Sequence, residues 1–138
     1  MEINFDLPHV FHPEASQEEN ALCLQQLLEM LVNINIVYLK RHAVPDLYRS
    51  GVRYYKTNTW LSIPALYRDQ RGDCKSLTAA LVAEYRIKGV FARPVFRFIE
   101  RPYSNGILDF HILVQTSTSF EDPSKVLGMP HSEIKKFG

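Results

Sequence analysis

Three side chains in this 138-residue sequence have the types and order of an acyl-transfer centre: Cys74, His111 and Asp122. A cysteine nucleophile needs a base to take its proton, and the base needs a third group to fix its orientation. Cys74 lies in Arg71-Gly72-Asp73-Cys74-Lys75-Ser76-Leu77, which delivers a thiol to the first turn of a helix. From there to Gly89 the apolar residues Leu77, Ala80, Leu81 and Tyr85 follow helical spacing. Gly72 permits a sharp turn, Asp73 caps the unpaired amides, and Arg86 and Lys88 complement the dipole at the far end. Cys74 therefore falls at or near the first helical position. There the positive end of the helix and several unpaired N–H groups favour thiolate over thiol. The expectation is a sulfur that ionises more readily than a free thiol, which titrates near ~8.5.

His111 is the histidine that falls within a predicted strand, and Asp122 lies on the next one. A two-residue turn at Thr116-Ser117 pairs positions whose numbers total 233, as 111 and 122 do. A four-residue turn over Thr116–Ser119 pairs positions totalling 235, which makes the two residues diagonal neighbours on the same face. In either register Asp122 can accept from one ring nitrogen of His111 while the other serves Cys74. Taken singly, each residue also has a plain structural role: a small buried thiol, a hydrogen-bonded strand histidine, an aspartate that stops a strand before proline. A zinc site built on the same three side chains is the other chemical alternative. It lacks the closely spaced ligand pair that such sites show, so no metal and no cofactor are expected.

The elements that must position these residues follow from periodicity. Ser16-Gln17-Glu18-Glu19 has capping-box spacing and introduces Leu24, Leu27, Leu28 and Leu31 on one face, predicting a helix to about Asn33 or Leu39. Cys23 reads as a buried residue of that helix. Residues 1–14 read as an extended arm. From Lys40 to Gln70 periodicity fails among Pro45, Gly51, Pro64 and several aromatics, with one helical turn expected at Ile63–Tyr67. Strands are predicted over Val90–Glu100, Ile107–Gln115 and Phe120–Asp122, with turns at Tyr103–Gly106 and Thr116–Ser119, and a last helical turn at Val126–Pro130. The tail, 130–138, is expected to be flexible. The whole, 1–138, reads as a single domain of α+β class.

Composition excludes some partners. Sixteen Lys and Arg against fifteen Asp and Glu give a net charge of +1, so no excess of positive charge argues for nucleic acid. Two cysteines are too few for a disulfide scaffold and suit a reducing compartment. No secretory leader is evident at Met1–Asp6, and no apolar run approaches the ~20 residues that span a bilayer. The expectation is a cytoplasmic protein without a membrane partner.

Gly72-Asp73-Cys74 opening a helix, the small-residue run Thr78-Ala79-Ala80, Gly89-Val90-Phe91-Ala92-Arg93-Pro94-Val95, the His111 strand and Glu121-Asp122-Pro123-Ser124 together resemble the transglutaminase-like core of the papain-like cysteine-enzyme superfamily. The resemblance is greatest to small single-domain transglutaminase-like proteins of tailed bacteriophages and prophages, where Ser50-Gly51-Val52-Arg53-Tyr54, Trp60 with Ile63-Pro64, and Leu127-Gly128-Met129 recur in this order. It implies a papain-like fold with helices on an antiparallel sheet, Cys74 as nucleophile, His111 as base and Asp122 as the third member. It implies acyl transfer on a peptide or protein amide, as a peptidase, amidase or transglutaminase, in a bacterial or phage-infected cell or on a virion. A phage structural protein and a peptidoglycan peptide are the substrates it suggests, and a non-catalytic virion-assembly protein is the alternative. The Cys74 amide is one natural oxyanion donor. Trp60, Tyr67 and Gln70 are candidates for the second, Trp60 by resemblance, with Asp73 a further substrate-binding candidate. Two positions depart from the family pattern: Lys75 stands where an acidic residue is frequent, and Ile112-Leu113 follow His111 in place of a small residue and tryptophan.

Overall fold

The structure is a computed structural model and describes residues 17–100 and 108–132. In chain order the elements are α1 (Gln17–Arg41), a 3-10 turn (Leu47–Arg49), β1 (Arg53–Tyr54), α2 (Ile63–Asp69), β2 (Arg71–Gly72), α3 (Cys74–Ile87), β3 (Ala92–Glu100), β4 (Leu108–Thr116), β5 (Phe120–Glu121) and α4 (Pro123–Val126). The expected arm 1–14, the Tyr103–Gly106 turn and residues 133–138 of the tail lie outside the described residues.

A helix buried on every side persists only where other layers surround it, and α3 is buried at each residue from Cys74 to Glu84. One layer is α1. The other is a three-stranded antiparallel sheet, order β3-β4-β5, with β3 and β4 in register from Ala92 against Thr116 to Glu100 against Leu108. Ala79, Ala80 and Ala83 are fully buried between the layers, and their small side chains let both approach closely. Helices packed on an antiparallel sheet make this an α+β domain.

Helix α1 runs past the expected end to Arg41, through the β-branched Ile34, Ile36 and Val37. Burial of Leu24, Leu28, Val32 and Asn35 overrides the weak helix propensity of those residues. Cys23 is half-buried instead of buried, and both cysteines are free thiols. Glu18–Arg41 is also long and apolar enough to cross a membrane by length and composition alone. That corrects the expectation that no such run exists; the polar residues scattered through it had masked the average.

The aperiodic region is more ordered than its sequence suggests. Its contacts are non-local: β1 pairs in parallel with β2, Arg53 beside Arg71, and Asn35 Oδ1 on α1 accepts the Ile63 N–H at 2.8 Å where α2 begins. With that anchor α2 extends over seven residues, beyond the single turn expected. Gly72 is needed here for close approach, because a Cβ would lie 2.5 Å from Leu66 Cδ1 in the core. At the far end of α3, Glu84 Oε1 accepts the Leu47 N–H at 2.5 Å, and Tyr67 Oη donates to the Pro45 carbonyl at 2.9 Å. The last helix comes earlier than the expected Val126–Pro130 turn. Asp122 caps it, with Oδ1 accepting the Lys125 N–H at 3.3 Å and Pro123 at its first position.

Burial, and after it the charge of Asp46, raises the Glu84 carboxyl to about 7 against the pull of the Leu47 amide. A carboxyl raised in the folded state contributes stability that is present below its unfolded value, near ~4.3, and is lost as pH rises through 7. Glu84→Gln keeps an acceptor for Leu47 and removes the titration. Denaturant unfolding at pH 5 and pH 8 should show the wild type losing roughly 2–3 kcal/mol more than the variant. Equal losses would contradict this account of Glu84.

Candidate active site

The histidine–carboxylate pair follows from strand register. Val114 pairs with Glu121 and Gln115 with Phe120, the longer-turn register of the two, closed by the Thr116 N–H to the Ser119 carbonyl at 2.9 Å. Asp122 is then a diagonal neighbour of His111 on the same face, and His111 Nε2 lies 2.7 Å from Asp122 Oδ2. With Oδ1 capping α4, both carboxylate oxygens are held. Burial by itself raises the Asp122 carboxyl. The His111 hydrogen bond and charge, with the Lys125 and Ser124 amides, outweigh it and hold the carboxyl below its ordinary value.

The sulfur reaches the same strand through the strand's backbone. Pro94 has no N–H to donate and stands opposite Val114, so β4 residues of even number direct their N–H and C=O away from β3. On that side β5 pairs with Val114 and Gln115 and goes no further. The next outward-facing residue, Ile112, is fully buried and would leave two orphaned polar groups. Helix α3 answers both: Thr78 Oγ1 donates to the Ile112 carbonyl at 3.2 Å, and the Ile112 amide lies near enough to the Cys74 sulfur to favour its charged form. Cys74 and Thr78 are one helical turn apart and share a face. The thiol therefore lies on the side of β4 where the amide of the residue after His111 acts on it.

The sulfur's electrostatics differ from the expectation. Burial, and then the Asp73 carboxylate, push the Cys74 thiol up to about 12, with Asp122 adding to the rise; the Ile112 amide and Lys75 pull it down. The group rests as a neutral thiol at neutral pH. The helix start and a neighbouring imidazolium set the expected thiolate, and a sequence does not show how dry the site is.

Around Cys74 each residue of the first helical turn has a separate task. Asp73 caps α3 through the Lys75 N–H at 3.2 Å and forms a buried ion pair with Lys75 Nζ. Burial raises the Asp73 carboxyl and Lys75 opposes the rise. Lys75 Nζ also donates to the Thr57 carbonyl at 3.0 Å and sits 5.8 Å from the centre of the Trp60 ring, while the Leu61 N–H donates to Ser76 Oγ at 2.9 Å. The structure thus pairs His111 with Asp122, leaves Cys74 within electrostatic reach of Asp73 and Asp122, and sets Trp60 in the loop beside Lys75. Tyr67 and Gln70 are committed elsewhere: Tyr67 Oη to Pro45 and Glu84, and Gln70 Nε2 to the Ser50 and Tyr67 carbonyls at 3.1 and 2.7 Å. The contributions of Thr78 and Lys75 were missed. Pro94 was the available signal for the first, because it fixes which backbone groups of β4 need partners. Among the described residues no three of His, Cys, Asp and Glu are placed to hold a metal ion.

Comparison of the chain with protein-family models, curated proteins and solved structures finds no match.

Thr78→Val removes one hydroxyl and leaves the Ile112 carbonyl buried without a donor. The expected cost is about 1–3 kcal/mol in denaturant unfolding. An unchanged midpoint would show that the helix–strand junction does not depend on this bond.

Proposed function

We propose that the chain is a cysteine-dependent acyl-transfer enzyme acting on amide bonds, with a transglutaminase-like core of papain-like type and Cys74, His111 and Asp122 as its triad. The observation that carries the reading is the 2.7 Å bond from His111 Nε2 to Asp122, on the strand whose next amide favours the charged form of the Cys74 sulfur. Because the thiol rests protonated, His111 acts as a general base: with Nε2 held by Asp122, Nδ1 takes the sulfhydryl proton as the sulfur attacks the substrate carbonyl carbon. The carbonyl electron pair moves to oxygen, where the Cys74 N–H, outside the helical ladder at the first position, donates to it. Collapse breaks the C–N bond, and the leaving amine takes the proton from His111. Water or a second amine then resolves the thioester, giving a peptidase or amidase in one case and a crosslinking enzyme in the other. By resemblance the setting is phage or prophage, in the bacterial cytoplasm or on the virion, with peptidoglycan peptides and phage structural proteins as candidate substrates.

The second reading is a non-catalytic virion-assembly or interaction protein that keeps the fold. Cys74 favours it in one respect: the residue is only 9% exposed, and its thiol is held at about 12.

Amine release should be measured from glutamine-containing peptides and peptidoglycan stem peptides, with and without an added alkylamine. Cys74→Ser and His111→Ala should each lower turnover by about 10²–10⁴. Incorporation of the alkylamine identifies transamidation. Turnover that survives Cys74→Ser, or none on any amide, favours the second reading.

A further inference from the structure

Asp73 and Lys75 flank the nucleophile in the chain, and both are buried, at 6% and 5% exposure. They form a direct ion pair, and Lys75 Nζ also donates to the Thr57 carbonyl at 3.0 Å, while the Thr57 amide helps hold the Asp73 carboxyl down. Such a pair is costly to bury, and removing one partner strands the other charge. A solvated lysine at this position would avoid that cost. What distinguishes this place is that the stranded charge would be a carboxylate one residue from the sulfur.

We propose that Lys75 is a positioning residue for the Cys74 reaction, neutralising the Asp73 carboxylate so that negative charge can form on the sulfur beside it. The inference rests on the reading of Cys74 as nucleophile. The charged groups that act on the sulfur are Asp73 and Lys75 on its own helix and Asp122 at the start of α4, whose carboxylate is bonded to His111 of β4. Without Lys75 the carboxylates of Asp73 and Asp122 would both oppose thiolate formation, and only Asp122 has a partner in His111. The same lysine ties down the Thr57–Leu61 loop, so loss of its charge and release of the loop must be told apart. Their signs differ: lost charge compensation slows attack by the sulfur, and a released loop speeds access to it.

Alkylation of Cys74 by chloroacetamide, a small neutral reagent, measured from pH 6 to pH 9 and located by peptide mapping, separates them. Lys75→Met should alkylate about tenfold more slowly than wild type at each pH, equivalent to a rise of about one unit in the thiol pKa. Lys75→Arg should recover most of the rate, and Asp73→Asn, which keeps the helix cap, should be faster than wild type. The double variant Asp73→Asn/Lys75→Met, with no stranded charge, should return to near the wild-type rate and provides the comparison if Lys75→Met folds poorly. Unchanged or faster alkylation in Lys75→Met, or a double variant as slow as Lys75→Met, overturns the proposal. The acyl-transfer reading fails by a different result, turnover insensitive to Cys74→Ser, which leaves these rates unaffected.

Discussion

The peptide of Ile112 is the joint on which the rest of the molecule depends. Its N–H and C=O are fully buried on the side of β4 that β5 does not reach, and an unmet buried backbone group costs about 1–3 kcal/mol. Helix α3 meets the carbonyl with Thr78 Oγ1 at 3.2 Å and brings Cys74, one turn earlier, where the Ile112 amide favours its charged form. This fixes α3 along the strand and around its own axis. The other anchors of the helix follow: Asp73 and Lys75 on Thr57, Ser76 on Leu61, and Glu84 on Leu47 at the opposite end. The aperiodic stretch between α1 and α3 is held by α3 at both of its edges, which explains its order in the absence of regular structure.

Two effects compete at the sulfur, and their sizes decide the outcome. A helix N-terminus favours a nearby anion by about 0.3–1 kcal/mol, reaching ~2 in partly buried geometry. A thiol held at about 12 faces roughly 4 kcal/mol against ionisation relative to an ordinary cysteine. Desolvation therefore wins in the resting site. Under the acyl-transfer reading, the chemistry cannot rely on a standing thiolate and must move the proton during attack, which gives the Asp122-held imidazole its work.

The parts of this arrangement that were legible in the sequence are those set by short periods. The helix opening at Cys74, the strand carrying His111 and the two permitted registers for Asp122 all follow from local pattern, and strand parity kept His111 and Asp122 on one face whichever register formed. What was not legible depends on distant partners. The parallel pairing of β1 with β2, the Asn35 cap that lengthens α2 and the sites where Tyr67 and Gln70 spend their polar groups involve residues far apart in the chain. Burial is also invisible at the level of residue types, so the sequence suggested an easily ionised thiol where the fold makes a protonated one.

The central claim is that Cys74 is a nucleophile served by His111, and active-site-directed labelling tests it most directly. The folded protein should be incubated with a peptide carrying a weak acyl-type electrophile, then digested and mapped by mass. The account expects the adduct on Cys74 and not on the half-buried Cys23, with His111→Ala losing the label and denaturation removing the preference for Cys74. Labelling at Cys23 with Cys74 left unmodified, or labelling of Cys74 that is indifferent to His111→Ala, would contradict it.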